Sequence, residues 1–358
     1  MEKELLKGNI AIAKAALKCG VKCYFGYPIT PQTEIGEYLS AKMQELGLGY
    51  VCAESEIGAI NMALGAASTG TKSLVSSSSC AVALMQETLS YACSDELPLV
   101  LVNVMRAGPG QGYIYPSQGD YNQAVVGGGN GDYKTIVLAP SCVQECVDFI
   151  YRAYYLAFRY KTPVILLADG LLGQMAEPCE IKENPYCEVE TSSWALSGKK
   201  DRASRKIHSL EPDQNKLNRH ILALKQKFDY IEQNEVQYEE YMLEDADIVF
   251  TAFGSMARSL KDVVEHYREK GIKIGLFRPK TLYPFPYQRL RELSLKAKQF
   301  IDVEMNLGQM LKDVQLSILS NAKVSFIGKP VGKWLSTEEI VKMTDEILGV
   351  QNASAKSI

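Results

Sequence analysis

Apolar and polar positions along the chain follow two rhythms that take turns. Residues 4–19 repeat apolar side chains at helical spacing, and VKCYF (21–25) reads as a short strand. The loop GYPITP follows, then a helix over about 32–46. YVCAE (50–54) is a strand, 55–69 a helix of small residues, KSLVSSS (72–78) a strand, and about 81–94 a helix. PLVLVNVM (98–105) is an unbroken apolar run, the pattern of a strand buried on both faces. A glycine-rich loop occupies 106–133. TIVLAP (135–140) and PVILLAD (163–169) are strands, with a helix over 142–160 between them. Apolar strands alternating with helices predict an α/β fold with a doubly wound parallel sheet.

The rhythm changes over 185–245. WALSGKKDRASRKIHSL gives way to a charged helical stretch over about 211–241, with no strand pattern. It reads as an excursion and linker helix whose charges face solvent. From 246 the alternation returns: DIVFTAFG, IKIGLFRP, KQFIDVEMN and KVSFIG are strands, with helices over 255–270, 286–297 and 308–320. The expected organisation is a first domain over 1–190, a linker over 191–244, a smaller α/β domain over 245–350 and a tail over 351–358. No sequence repeat relates the halves.

Composition narrows the function. With 358 residues, 46% hydrophobic and 23% charged, the chain can bury a core in each of two domains and is not mainly disordered. A net charge of −3 gives no electrostatic footprint for nucleic acid or an anionic membrane. No run of 18 apolar residues predicts a spanning helix, and the N-terminus lacks a signal peptide's apolar core. A cytoplasmic location is expected. All nine cysteines lie in the first 190 residues, without a CxxC. Cys19/Cys23 and Cys142/Cys146 are spaced to share helix faces, so zinc is open, but buried thiols in a reducing compartment are the plainer reading. The three histidines are at 208, 220 and 266. A Ser-His or Cys-His mechanism in the first half is therefore disfavoured, leaving carboxylates, arginine, hydroxyls or a cofactor.

Open parallel sheets bind ligands at the carboxyl ends of their strands, which is where the candidates fall. After the first strand, Thr30 sits between Pro28-Ile29 and Pro31, positioned either to cap the next helix or to hold a substrate oxygen. After the second come Glu54 and Glu56, which serve either as helix-start acidity or as a carboxylate for a cofactor nitrogen. After the third come Ser76–Ser79, either a pocket lining or a plain turn. After the fourth comes Arg106, which at the end of a buried strand needs an anion: a substrate carboxylate or an internal salt bridge. The GxGxG at 108–112 is a weak nucleotide signal, because it follows the wrong strand and lacks the downstream acidic residue.

Taken together, GYPITPQTEIGEYL, ESEIGAINMALGA, VMRAGPGQG, YPSQGDYNQA, GGGNGDY and IVLAPSCVQE resemble the alpha-type subunits of 2-oxoacid:ferredoxin oxidoreductases. PVILLADGLLGQMAEP, DADIVFTAFGSMAR, IGLFRPKTLYPFP and VEMNLGQM extend the resemblance over nearly the whole chain, nearest the branched-chain type acting on 3-methyl-2-oxobutanoate. The resemblance implies the pyrimidine-binding domain of a thiamine diphosphate enzyme followed by a transketolase C-terminal-like domain. It implies oxidative decarboxylation of a 2-oxo acid to an acyl-CoA and CO2, with electrons passing to ferredoxin. Glu56 aligns with the glutamate that contacts the cofactor's aminopyrimidine ring, and Thr30 and Arg106 with residues that meet the 2-oxo acid. Pro28, Ile29, Ser78 and Ser79 fall at cofactor-binding positions, and Gly119 and Asp120 in a loop that helps close the site.

Two signatures are absent: a GDG followed by a distant Asn, which would hold magnesium and diphosphate, and an iron–sulfur ligand run. Thiamine diphosphate would then be shared with a diphosphate-binding beta-type subunit. Mg2+ and [4Fe-4S] clusters would reside in partners, including gamma-type and ferredoxin-like subunits, and coenzyme A would be the co-substrate. Two departures from relatives stand out: Cys80-Ala81-Val82 in place of a Pro-Gly segment, and Asn130 where histidine is common. They bear on substrate identity, and they keep open a non-catalytic scaffold subunit. A nucleotide-dependent oxidoreductase would need its fingerprint where GYPITP stands.

Overall fold

In a computed structural model of the chain, which describes residues 3–319, 321–330 and 334–349, the apolar run at 99–107 lies inside a sheet. The expected tail over 351–358 lies outside the described residues. The sheet runs in the order Thr281–Tyr283, Ile136–Leu138, Pro163–Asp169, Leu99–Ala107, Ser73–Ser77, Cys23–Gly26 and Gly49–Cys52. The last six are mutually parallel, and Thr281–Tyr283 adds antiparallel to Ile136–Leu138. Pro163–Asp169 is buried along its whole length, as expected for a strand covered on both faces. Helices Gly8–Lys18 and Val143–Tyr160 pack together, and small residues such as Ala11, Ala15 and Ala16 of the first are fully buried.

A second sheet runs in the order Tyr238–Tyr241, Ile274–Pro279, Ile248–Thr251, Gln299–Glu304 and Lys323–Gly328. Only its first strand is antiparallel to its neighbour. Helices Gly254–Glu269 and Thr337–Leu348 pack together beside this sheet, the latter opened by a capping box of Ser336 and Glu339. Two α/β units therefore make up the described chain. No helix among the described residues is long and apolar enough to cross a membrane.

Several local expectations change. The stretch 4–19 divides into a strand, Glu4–Lys7, and the helix Gly8–Lys18. The strand pairs with Ala176–Cys179, a partner some 170 residues away that local periodicity cannot reveal. The helix over 81–94 is two pieces, Cys80–Ala83 and Gln86–Ser94. The loop over 106–133 contains the strand Tyr113–Pro116 and the helix Tyr121–Val125. The charged stretch over 211–241 is the helix Gln214–Asn234 and then a strand, Tyr238–Tyr241, where none was expected. TLY of FRPKTLYPFP leaves the second sheet and joins the edge of the first.

The two units are tied by buried polar contacts. Gln118 donates from Nε2 to Phe253 O (2.8 Å) and accepts at Oε1 from Met305 N (3.1 Å). Ser255 donates to the buried carboxylate of Asp169, whose other oxygen caps Leu171 and Leu172 at 3.0 Å. Burial raises the Asp169 carboxyl pKa, and these donors act against it.

Candidate active site

Four adjacent strand ends build the site. Gly26 pairs with Cys52 on one side and Ser76 on the other, and Ser77 pairs with Asn103. The residues at or just beyond these strand ends therefore emerge side by side: Glu56, then Pro28–Thr30, then Ser78–Ser79, then Arg106, the second-last residue of its strand.

The GYPITP loop is held from behind. Tyr24 Oη and Ser76 Oγ share a hydrogen bond of 2.9 Å, and Ser76 donates to Gln32 Oε1 at 2.6 Å, all in the interior. The carbonyl of Pro31 accepts from Asn9 Nδ2 at 2.7 Å and Gln174 Nε2 at 3.0 Å. Thr30 is exposed, and Gln32 rather than Thr30 is the N-cap of the next helix, Thr33–Glu45, so the capping reading is not realised.

Glu56 opens the helix Glu56–Ser68, with Ser55 as its cap accepting from Gly58 N at 3.1 Å. The two carboxylates here differ. Glu54 is exposed and lies over Gly58, where an added Cβ would meet its Oε1 at 2.4 Å. Glu56 is half-buried, and among the described residues no hydrogen bond or ion pair reaches its carboxylate. It is available to a donor that enters the site.

Arg106 resolves the question posed by its place in the sequence. Among the described residues it makes no hydrogen bond or ion pair to a carboxylate, although its charge acts to lower the pKa of nearby Asp120. Nη1 donates to Thr30 O at 3.1 Å, while Nη2 donates to Gln111 O at 2.9 Å and to Cys80 Sγ at 3.2 Å. Nε is buried without a partner. A cation that bonds only neutral acceptors retains its affinity for an anion.

Ser79 stands at φ 37° and ψ −95°, a strained conformation for a residue with a side chain. Asn103 Oδ1 holds its N–H at 3.0 Å, and Gln123 Nε2 reaches its carbonyl at 3.3 Å. Ser78 is fully buried, and its Oγ has no partner among the described residues. Asp120 is 9% exposed, and its carboxylate accepts from Ser79 Oγ at 2.6 Å and Asn103 Nδ2 at 3.0 Å. Burial pushes the Asp120 carboxyl pKa up, against these donors. A cleft of about 580 Å3 opens beside this network, lined among others by Ser79, Cys80, Gly108, Gly119, Asp120 and Asn306.

Sequence reasoning pointed to Pro28, Ile29, Thr30, Glu56, Ser78, Ser79, Arg106, Gly119 and Asp120; the structure bonds Thr30, Ser79, Arg106 and Asp120 into one network, while the Glu56 carboxylate and the Ser78 hydroxyl stand outside it. It missed the amides Asn9, Gln32, Asn103, Gln123 and Gln174. Asn103 carried a signal, as a lone amide inside the apolar run PLVLVNVM. Among the described residues, no group of three or more His, Cys, Asp or Glu side chains could hold a metal. Cys19 and Cys146 are buried, and burial raises the Cys19 thiol pKa to about 11.

Comparison with known proteins adds the family. Residues 14–247 match the model of the thiamine diphosphate-binding domain of pyruvate flavodoxin/ferredoxin oxidoreductases, and 246–340 match core domain II of pyruvate:ferredoxin oxidoreductase. The ketoisovalerate oxidoreductase subunit VorB of Methanothermobacter marburgensis is 44% identical, over 98% of this chain and 100% of that protein. The 2-oxoglutarate:ferredoxin oxidoreductase of Magnetococcus marinus, solved with 2-oxoglutarate, coenzyme A and succinyl-CoA bound, superposes with a TM-score of 0.85 at 25% identity. That match covers 96% of this chain, which spans 65% of the longer one. An inactive tetramer of a split-gene transketolase, 13% identical with a TM-score of 0.61, shares the fold over 97% of this chain and 99% of its own. By domain models and by full-length similarity, the chain belongs to the 2-oxoacid:ferredoxin oxidoreductase family.

Proposed function

We propose that this chain is the subunit that binds the pyrimidine half of thiamine diphosphate in a complex converting a 2-oxo acid and coenzyme A to an acyl-CoA and CO2, with ferredoxin as electron acceptor. The observation that carries this reading is Arg106, a guanidinium with no hydrogen bond or ion pair to a carboxylate among the described residues, bonded to the carbonyl of Thr30.

The residues fit the cofactor. Glu56 has an unpartnered carboxylate one strand away from the GYPITP loop, suited to share a proton with a ring nitrogen. Pro28 and Ile29 would flank the ring, and Ser78 Oγ and Ser79 would lie at its edge; the Ser78 hydroxyl is buried without a partner among the described residues. Thiamine diphosphate supplies the carbanion chemistry when bound, and the protein orients and tunes it. Arg106 would hold the substrate carboxylate by charge-assisted hydrogen bonds, with the Thr30 hydroxyl beside it. That grip must stay modest, because the carboxylate leaves as CO2. Gly119 and Asp120 line the cleft and would help to close it.

Partner subunits complete the site in this reading. A beta-type subunit would bring the diphosphate site and Mg2+, and gamma-type and ferredoxin-like subunits would bring or serve the [4Fe-4S] clusters. Tyr27, Ile57, Met62 and Leu84 are between 37% and 50% exposed, near or just beyond these strand ends. Such apolar surface suits burial against another chain. All nine cysteines are free thiols, which fits a reducing cytoplasm.

The substrate proposed is 3-methyl-2-oxobutanoate. A ketoisovalerate oxidoreductase subunit is similar over the full length.

The experiment is anaerobic purification of the tagged chain with its bound partners, followed by coenzyme A-dependent viologen reduction with a panel of 2-oxo acids, in wild type and Glu56→Gln. Reduction with 3-methyl-2-oxobutanoate that is lost in the variant supports the reading. Reduction with a different acid corrects the substrate. No reduction with any acid, in a complex that holds thiamine diphosphate and clusters, points to a scaffold subunit.

A further inference from the structure

We propose that Asp120 is a positioning residue for Arg106, acting through the hydroxyl of Ser79. This rests on the reading of Arg106 as the substrate carboxylate's partner.

The Ser79 hydroxyl is the pivot. It has one proton and three polar neighbours: Asp120 Oδ2 at 2.6 Å, Arg106 N at 2.8 Å and Arg106 O at 3.1 Å. The shortest contact, to a carboxylate, takes the proton. A lone pair of Oγ is then directed at the Arg106 N–H, which fixes the backbone from which the guanidinium departs. Without the carboxylate, the hydroxyl turns its proton to the Arg106 carbonyl, and the N–H contact loses its geometry. The neighbour of Ser79 grips the other end of the same side chain, since Cys80 Sγ accepts from Arg106 Nη2 at 3.2 Å. Ser79 and Cys80 thus hold Arg106 at root and tip, and the strained backbone of Ser79 persists because its surroundings over-determine it. Asp120 and Asn103 supply that surplus: Asn103 binds both the Ser79 N–H and the Asp120 carboxylate.

Asp120 is itself immobilised by the second α/β unit. Gln118 N donates to Met305 O at 3.0 Å, Gln118 O accepts from Asn306 Nδ2 at 2.8 Å, and Gly119 O accepts from Gln309 Nε2 at 2.7 Å. The carboxylate is therefore a fixed post, and Arg106 is referenced through it to both units. Positioning groups matter because a small misplacement of a reacting partner is costly in rate.

Two arms test this. In the purified complex, Asp120→Ala is expected to raise KM for the 2-oxo acid roughly 10- to 100-fold, the range of one lost charge-assisted hydrogen bond, while KM for coenzyme A stays put. Asp120→Asn, whose amide oxygen can accept from both Ser79 and Asn103, is expected to recover most of that loss. In the isolated full chain, peptide mass spectrometry reads the rate at which iodoacetamide modifies Cys80, which should rise in Asp120→Ala and not in Asp120→Asn. An unchanged 2-oxo acid KM in Asp120→Ala, or an equal rise in both KM values, overturns the proposal. So does an unchanged Cys80 rate. If wild type turns over no 2-oxo acid, the functional reading fails, and the thiol arm alone then decides whether Asp120 positions Arg106.

Discussion

Arg278 of the second unit sets both terminal nitrogens on the carboxylate of Glu145 in the first, with Nη1 at 2.7 Å from one oxygen and Nη2 at 2.6 Å from the other. Arg278 is 1% exposed and also donates from Nε to Glu239 at 2.8 Å. Burial works to raise the Glu145 carboxyl pKa, but the hydrogen bonds and charge of Arg278 prevail and hold it at about 2, below the ordinary 4.5. A depressed carboxyl stabilises the fold above its unfolded value and loses that contribution as pH falls through the folded one. The pair should therefore support the chain fully above about pH 4.5 and progressively less toward pH 2. Arg278→Met leaves Glu145 with only Lys280 and Ser141, while Glu239 keeps Lys261, and should cost about 3 kcal/mol, since breaking a buried pair strands a charge. Glu145→Leu in the same chain should restore part of the loss. Thermal unfolding of the isolated chain at neutral and acid pH checks both, and a single variant with wild-type melting would show the pair to be dispensable.

Gly8 begins its helix against the backbone of the segment after Asp169. A Cβ there would lie 2.1 Å from Leu172 O, and backbone cannot swing aside as a side chain can. Gly8→Ala should destabilise the chain by about 1–3 kcal/mol, the usual cost of overpacking. Gly58 is the control. The nearest atoms to its added Cβ would be the carboxylate of exposed Glu54, which can move, so Gly58→Ala should be near neutral. Melting temperatures of the two variants should separate clearly, and equal values would contradict this account.

These positions also show what the sequence made visible. Alternation of strands and helices was legible because buried parallel strands are apolar along their length, as at 99–107 and 163–169. The break at Gly8 was not, because ELLKGNIAIAKA keeps helical spacing across it and the strand's partner is distant in sequence. YEEY at 238–241 carries no apolar–polar alternation, follows closely on a charged helix and takes its structure from pairing with Ile274–Pro279. In the site, the charged and hydroxyl residues were legible because they follow strand ends. The amides that orient them have no periodicity or charge to mark them. The arrangement of Asp120 beneath Ser79 depends on Met305, Asn306 and Gln309, nearly 200 residues away.

Glu56 should separate chemistry from stability. No described residue bonds its carboxylate, so Glu56→Gln removes no protein contact and should melt with the wild type. Viologen reduction by the complex should fall by about 10²- to 10⁴-fold, the typical contribution of a positioned proton-transfer group. A variant that loses stability as well would show that Glu56 has a structural partner in the assembly.

Arg106 should not tolerate lysine. The planar guanidinium reaches Thr30 O, Gln111 O and Cys80 Sγ from its two terminal nitrogens and still presents an unpartnered Nε. A lysine head is a single point, and cannot span these acceptors while offering a fork to a carboxylate. Arg106→Lys should raise KM for the 2-oxo acid by roughly 10- to 100-fold, as expected when a charge-assisted contact is lost. Arg106→Ala should fall further and recover in part when millimolar guanidinium is added, because the acceptors that seat the ion remain in place. The Ser79 contact to the Arg106 backbone N–H survives both substitutions, so thermal stability should change little. Wild-type KM in the lysine variant would mean that the arginine serves the GYPITP loop and not the substrate.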